Sequence, residues 1–260
     1  MSPGADEETP REVPFGAGWV PERSPRRAVG QALGVVRRLS TLAAPRSGGL
    51  TREPWILNQA SKNACTGFNG VQLVYGLTGN KVSPWMLWLY GRLRDGAALE
   101  TLSNTGVRTS AMLAAFRKHG ACFYDAWRPG LTGFEYDEQP PSLLRIQAQR
   151  HNLSVTPLYE RGPRLVELIV DALAQGRPCG LVVRVDAGFD RAKSDPVGPE
   201  ADETRGQHII TPWMFYKGSR GYVIECVNSW GSGHGDDGIV RLTAERVGQA
   251  PFACIATGVA

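Results

Sequence analysis

Residues 225–242 read "ECVNSWGSGHGDDGIVRL". An apolar run, "GYVIECV", begins at Gly221 and stops at Asn228. Ser229 and Trp230 follow, then a turn with glycines at positions 231, 233, 235 and 238, and then a second apolar run, "GIVRL". Two short runs rich in Val and Ile, separated by glycine, predict two strands joined by a turn. An amide and an indole therefore stand at the lip of a glycine-rich hairpin. What they do there depends on residues far upstream.

Outward from this hairpin the pattern stays β. "PCGLVVRV" (178–185), "QHIITPWMFY" (207–216) and "FACIATGV" (252–259) read as further strands, and the polar stretch 190–206 reads as a long surface loop. The first half is helical. "SPWMLWLYGRLRDG" (83–96) offers Ser83 as N-cap, Pro84 at the first helical position and Gly96 as the stop. Further helices are expected in "VRTSAMLAAFRKHG" (107–120), "PPSLLRIQAQRHN" (140–152) and "PRLVELIVDALAQG" (163–176). Helices followed by strands predict an α+β fold with two lobes, helical over about 60–155 and β over about 156–260. Residues 1–50, rich in Pro, Gly and Arg, read as an N-terminal arm or short pro-like segment ahead of a catalytic domain at 51–260. Within the arm, Val29, Leu33, Val36 and Leu39 could share one face of a helix.

At 260 residues and 42% hydrophobic, the chain can bury a sizeable core. The net charge of +4 comes from scattered arginines without a basic block, which argues against a nucleic-acid partner. No apolar run reaches the roughly 18 residues of a membrane span, and the acidic start does not read as a secretory signal. Five widely spaced cysteines without a CxxC predict neither a disulfide framework nor a metal site. A reducing setting, cytoplasmic or phage-associated, fits best. No cofactor is implied, and nothing bears on oligomeric state.

Four of the cysteines sit in apolar surroundings, but Cys65 lies in the polar segment "ILNQASKNACTGFNG" (56–70). It would open a helix, where the partial positive charge and unsatisfied N–H groups favour a thiolate. Gln59, six positions earlier, can curl back to offer its amide beside the Cys65 N–H, which makes an oxyanion hole. Of the four histidines, His119 reads as structural, His151 as exposed and His234 as ambiguous. His208 opens an apolar strand after a polar loop, where a side chain meets a cleft. A histidine in that position is more often structural than catalytic. If its strand pairs with the one ending at Asn228, the asparagine can fix the imidazole tautomer and turn the other ring nitrogen toward a thiol.

Together these segments resemble papain-like cysteine peptidases. "NSWGSGHGDDGIVRL" resembles their Asn-Ser-Trp-Gly block and the strand after it, and "LNQASKNAC" has their Gln-to-Cys spacing. "VELIVDALAQGRPCGLVVRV" resembles the helix and strand before the histidine strand, and "GQHII" stands where that strand begins. The spacing from Cys65 to His208 falls within the roughly 130–150 residues expected for the family. The resemblance implies a papain-like two-lobed fold: a helical left lobe and an antiparallel β-barrel-like right lobe, with the cleft between them holding an extended peptide or protein substrate. It implies Cys65 as nucleophile, His208 as general acid/base, Asn228 as its orienter, Gln59 as oxyanion donor and Trp230 as the indole shielding the pair.

The chain also departs from that family. Lys62 replaces the disulfide cysteine before the nucleophile, Asn63-Ala64 replace Gly-Ser, and Thr66 replaces an aromatic residue. Small bacterial and phage proteins of this type resemble that version. "NTGVRTSAM" stands where the family has Gly-Cys-x-Gly-Gly, and His234 replaces a second aromatic. Asn63 and Ile209 should reshape the substrate subsites, and Pro212 predicts a bulge or an edge. The expected activity is hydrolysis of peptide bonds in proteins or in cell-wall cross-links. The alternatives are a silent papain-fold binding or virion structural protein, and another acyl transferase or amidase built on the same residues.

Overall fold

The computed structural model describes residues 19–20, 46–98, 104–129, 138–201 and 203–259. The candidate helix of the N-terminal arm lies outside them. In chain order the elements are β1 (Trp19–Val20), β2 (Ser47–Gly49), α1 (Cys65–Thr78), α2 (Pro84–Arg94), β3 (Val107–Arg108), α3 (Thr109–Lys118), α4 (Ser142–Ala148), β4 (Leu153–Leu158), α5 (Gly162–Ala174), β5 (Cys179–Val185), α6 (Ala187–Asp190), β6 (Gly206–Gly218), β7 (Gly221–Val227), β8 (Ile239–Thr243), α7 (Ala244–Gly248) and β9 (Phe252–Val259).

Local chemistry accounts for most of these boundaries. Ser83 holds an extended N-cap conformation before Pro84, and Arg92 and Arg94 lie in the last turn of α2, where cations suit the helix dipole. The α5 helix buries one apolar stripe, including Leu165, Leu168, Ile169 and Leu173. The α1 helix is less one-sided, because Thr66, Asn69 and Gln72 are buried along with its apolar residues. Gly67 lets α2 approach it closely: a Cβ there would stand 2.3 Å from the Pro84 carbonyl oxygen.

A sheet of seven strands carries the second half. Its order is β4-β9-β5-β6-β7-β8, and β2 pairs with β6 off this path. The helices α1, α2 and α3 share one core with residues of the sheet, among them Val155, Val182, Ile209 and Cys254. A second core, holding Leu181, Ile210, Phe215 and Val240, is closed by α5. The α+β arrangement in two regions is as expected.

The barrel-like right lobe is not found, because the sheet stays open. Its two end strands are covered separately and never meet. Arg117 of α3 donates to the Val155 carbonyl on β4 at 3.1 Å. On β8, Val197 donates to the Arg241 carbonyl (2.8 Å) and accepts from the Thr243 N–H (3.1 Å). Each end strand is thus met by another part of the chain and not by the opposite end of the sheet. The stretch 190–206 is thus partly an edge cover, with Ala192 and Val197 buried. The bulge expected at Pro212 is present, since the β6–β7 register shifts between Pro212 and Met214. Through it β6 passes from pairing with β5 at residues 206–210 to pairing with β7 at residues 211–218.

No helix among the described residues is long and apolar enough to cross a membrane. No disulfide joins any of the five cysteines.

Candidate active site

Three contacts set the register between helix α1 and strand β6. Asn69 Nδ2 donates to Thr211 Oγ1 (2.8 Å) and to the Ile210 carbonyl (3.3 Å). Further along both elements, the Tyr75 ring stacks on Trp213 at 6.1 Å. Helix and strand therefore advance in the same direction. One turn back along α1, about 6 Å at the helical rise, is Cys65. Two residues back from Ile210 along β6, about 7 Å at the strand rise, is His208. Cys65 and His208 thus lie on the same side of the Asn69 contact, each a few ångströms back along its own element. Gly180 on β5 permits this approach, because a Cβ there would lie 2.7 Å from Asn69 Oδ1.

Cys65 is the first residue of α1. The helix opens without a side-chain cap and has no acidic residue in its first turn to offset its positive end. The side chain is fully buried. Burial pushes the thiols of Cys122 and Cys254 up to about 12 and raises those of Cys179 and Cys226 as well.

His208 is also fully buried. Its Nε2 donates to Asn228 Oδ1 at 2.7 Å, while its buried Nδ1 has no hydrogen-bond partner. The β6–β7 hairpin places the pair: Thr211 faces Val227, and Asn228 reaches across from the next position. Burial chiefly, opposed by the Asn228 hydrogen bond and aided by nearby His234 and Arg205, lowers the His208 pKa to about 4. The Trp230 indole lies 4.7 Å from the imidazole and Phe189 stands edge-on to both, so water is kept from the His208–Asn228 bond.

Gln59 is tied to the same turn. Its N–H donates to the Ser229 carbonyl at 2.8 Å, and its Oε1 accepts from Ser229 Oγ at 2.6 Å. Its Nε2 donates to the Lys62 carbonyl at 2.7 Å. An Asn58–Trp230 bridge and a bond from the Gly231 N–H to the Leu57 carbonyl complete the seam. The loop before Cys65 and the Asn-Ser-Trp-Gly turn are therefore one hydrogen-bonded unit. Within that loop Ala60 adopts a left-handed φ of 51°.

Asn63 is half-buried and held by Asn104. Its N–H donates to Asn104 Oδ1 and its Nδ2 to the Asn104 carbonyl, both at 2.6 Å, while Asn104 Nδ2 donates to the Ser61 carbonyl at 2.9 Å. Ile209 is buried in the core shared with the helices.

Three residues of the site carry roles that the sequence did not disclose. Ser229 orients Gln59, Asn69 sets the register, and His234 accepts from Asn228 Nδ2 at 2.9 Å. Asn69 could have been found as a polar residue one turn after Cys65 in an apolar helix. His119 is structural, stacked on Tyr90 at 4.2 Å. His151 is not exposed as expected. It is buried, with Nδ1 3.0 Å from the Ala121 carbonyl, because the chain turns inward after α4.

No family model and no curated protein matches this chain in sequence. Solved structures match it in fold. Xylellain, a cysteine protease from Xylella fastidiosa, is 17% identical over 95% of this chain and 97% of its own, with a TM-score of 0.73. Digestive procathepsin L 3 from the larval midgut of Tenebrio molitor is 15% identical over 84% of this chain and 72% of its own, with a TM-score of 0.66. The bromelain protease of Ananas comosus is 15% identical over 82% of this chain and 99% of its own, with a TM-score of 0.60. This chain has the papain-like cysteine-protease fold, in a sequence far from those proteins.

Proposed function

We propose that this protein is a cysteine peptidase that cleaves peptide bonds through an acyl-enzyme. One observation carries the reading: a buried imidazole, fixed at Nε2 by Asn228, keeps Nδ1 without a hydrogen-bond partner, on the strand that Asn69 ties to α1. In this reading Cys65 passes its proton to His208 Nδ1 and attacks the scissile carbonyl as thiolate. The Cys65 N–H and Gln59 Nε2 receive the oxyanion. His208 then protonates the leaving amine, and water, deprotonated by His208, releases the acyl group. The substrate lies extended between the two regions, and Asn63 and Ile209 limit what fits there. No cofactor takes part. Thiols without disulfides suit a reducing compartment, cytoplasmic or phage-associated.

Iodoacetamide alkylation, read cysteine by cysteine by mass spectrometry over a pH series, tests this reading. Cys65 should react fast near pH 5–6, the four other thiols should not, and His208→Ala should abolish the difference. A Cys65 no faster than a model thiol would sink the peptidase and leave a binding role.

The part of the N-terminal arm around Trp19–Val20 is proposed to obstruct the cleft. Backbone pairing supports this: β1 runs parallel to β3 and lies against β6, so it touches both regions. Deleting residues 1–45 should raise kcat/KM on a peptide substrate, and unchanged activity would refute the obstruction.

A further inference from the structure

The hydrogen bonds behind His208 do not stop at Asn228. Asn228 Nδ2 donates to His234 Nδ1 at 2.9 Å, and His234 Nε2 donates to the Phe189 carbonyl at 2.9 Å. A backbone carbonyl only accepts, so the Phe189 end sets the direction of the whole chain. Neutral His234 must carry its proton on Nε2, which leaves a lone pair on Nδ1. That lone pair selects the NH2 side of the Asn228 amide and sends Oδ1 to His208 Nε2. Neutral His208 is then left with its own lone pair on Nδ1. The Ser229 N–H, which also donates to Asn228 Oδ1 at 2.8 Å, supports the same orientation. His234 is itself buried, its ring 4.6 Å from Trp230 and 5.5 Å from Phe189.

We propose that His234 is a positioning residue: it fixes the polarity of the Asn228 amide, and through it the tautomer of His208. This rests on the reading of His208 as the general acid/base. An aromatic residue without a ring acceptor would fill the same space but give the amide no partner. The arrangement also makes the site sensitive to acid. Protonated His234 donates from both nitrogens, so its Nδ1–H faces the Asn228 NH2, donor against donor, and that link breaks. Burial, the Phe189 carbonyl, Asp190 and Lys193 act on the ring, and burial outweighs the carbonyl and Asp190 to lower its pKa. The other charged groups nearby are Arg205, paired with Asp190, and His208 on β6, while Asp236 on the same turn is taken by Arg241. Proton uptake by His234 thus adds a second ionisation to the acid side of the activity profile.

Two variants separate this role from a packing role. His234→Phe keeps the ring and removes both bonds. His234→Asn keeps an acceptor near the Nδ1 position and does not titrate. The readouts are ring-nitrogen NMR of His208 and His234, the Cys65 alkylation rate against pH, and kcat/KM on any peptide the protein cleaves. In the native protein His234 should carry its proton on Nε2, in Cys65→Ala neutral His208 should do the same, and the native acid limb should show two ionisations. His234→Phe should react about 10-fold more slowly near neutral pH, since a buried donor loses its partner. His234→Asn should recover most of that rate, and its acid limb should fall to one ionisation. The proposal is overturned if both variants superimpose on the native profile, or if His234 carries its proton on Nδ1. Should His234→Phe fail to fold, the native spectra and His234→Asn decide the matter. If no peptide is cut but spectra and alkylation behave as stated, the peptidase reading fails and this one stands.

Discussion

Asn69→Ala removes the amide that holds α1 against β6, and its effect can be worked from the contacts. The 2.8 Å bond to Thr211 Oγ1 contributes about 1 kcal/mol and the longer one to the Ile210 carbonyl less. The stranded Thr211 hydroxyl and the small void add roughly 1–2 kcal/mol, for a total of about 2–3 kcal/mol. Urea unfolding should show this as a lower midpoint at unchanged m. The change matters more for the site, because a helix released from its register lets Cys65 drift from His208. A displacement of about 1 Å can cost up to about 100-fold in rate. Cys65 alkylation near pH 6 should therefore slow by at least about 10-fold in the folded variant. Thr211→Val should reproduce part of the stability loss. The double variant should lose less than the sum, by about 1 kcal/mol, since both remove the same bond. If stability falls as expected while Cys65 reacts at the native rate, Asn69 only holds the fold together, and the register argument is wrong.

In Cys65→Ala, His208 should titrate near 4 by NMR. In the native protein a thiolate neighbour should raise it by roughly 1–3 units, and identical titrations would exclude the ion pair. Unfolded histidine takes its proton at about 6.5, so Cys65→Ala should lose stability as pH falls from there towards 4. Ala60→Gly should stabilise by about 0.5–1 kcal/mol in urea, because it relieves a left-handed φ at the cost of chain entropy, and a loss would show that Ala60 is not strained. Arg246→Met strands the buried Asp186 carboxylate and should cost about 3–5 kcal/mol by urea unfolding, a near-neutral result refuting the pairing. Burial alone would raise Asp186. Hydrogen bonds from Arg246 and from the Ala201 and Phe189 N–H groups, with the Arg246 charge, hold it below the usual value. That stabilisation is complete above about pH 4 and is lost as pH falls through the depressed pKa, which an acid titration of the fold would show.

The parts of this fold that announced themselves are those with local punctuation. Ser83-Pro84 and Gly96 bracket α2, and glycine turns bracket β6, β7 and β8. Strand β4 did not, because "LSVTPL" carries a proline and polar residues, and only pairing with β9 makes it a strand. Barrel closure was equally illegible, since it turns on how the ends of the sheet are met, by Arg117 and by Val197, and no local pattern records that. At the site, Gln59, Cys65 and Asn228 stood out by type and spacing, while His208 and Trp230 were singled out with the help of the resemblance. Their supports were hidden: Ser229, Asn69 and Asn104 matter through bonds to residues distant in sequence. His151 misled because its neighbours are polar, although its own ring points inward.

The Asn63–Asn104 pair means that the loop leading to Cys65 is fastened by a latch and not by a rivet. Hydrogen bonds of this kind each hold with about 1 kcal/mol. They open under thermal motion and re-form without any partner molecule, indifferent to reductants and oxidants. On the proposed peptidase reading, a substrate passing this loop would meet a wall held by such bonds alone. The segment should exchange its amide hydrogens long before the α1 helix behind it does.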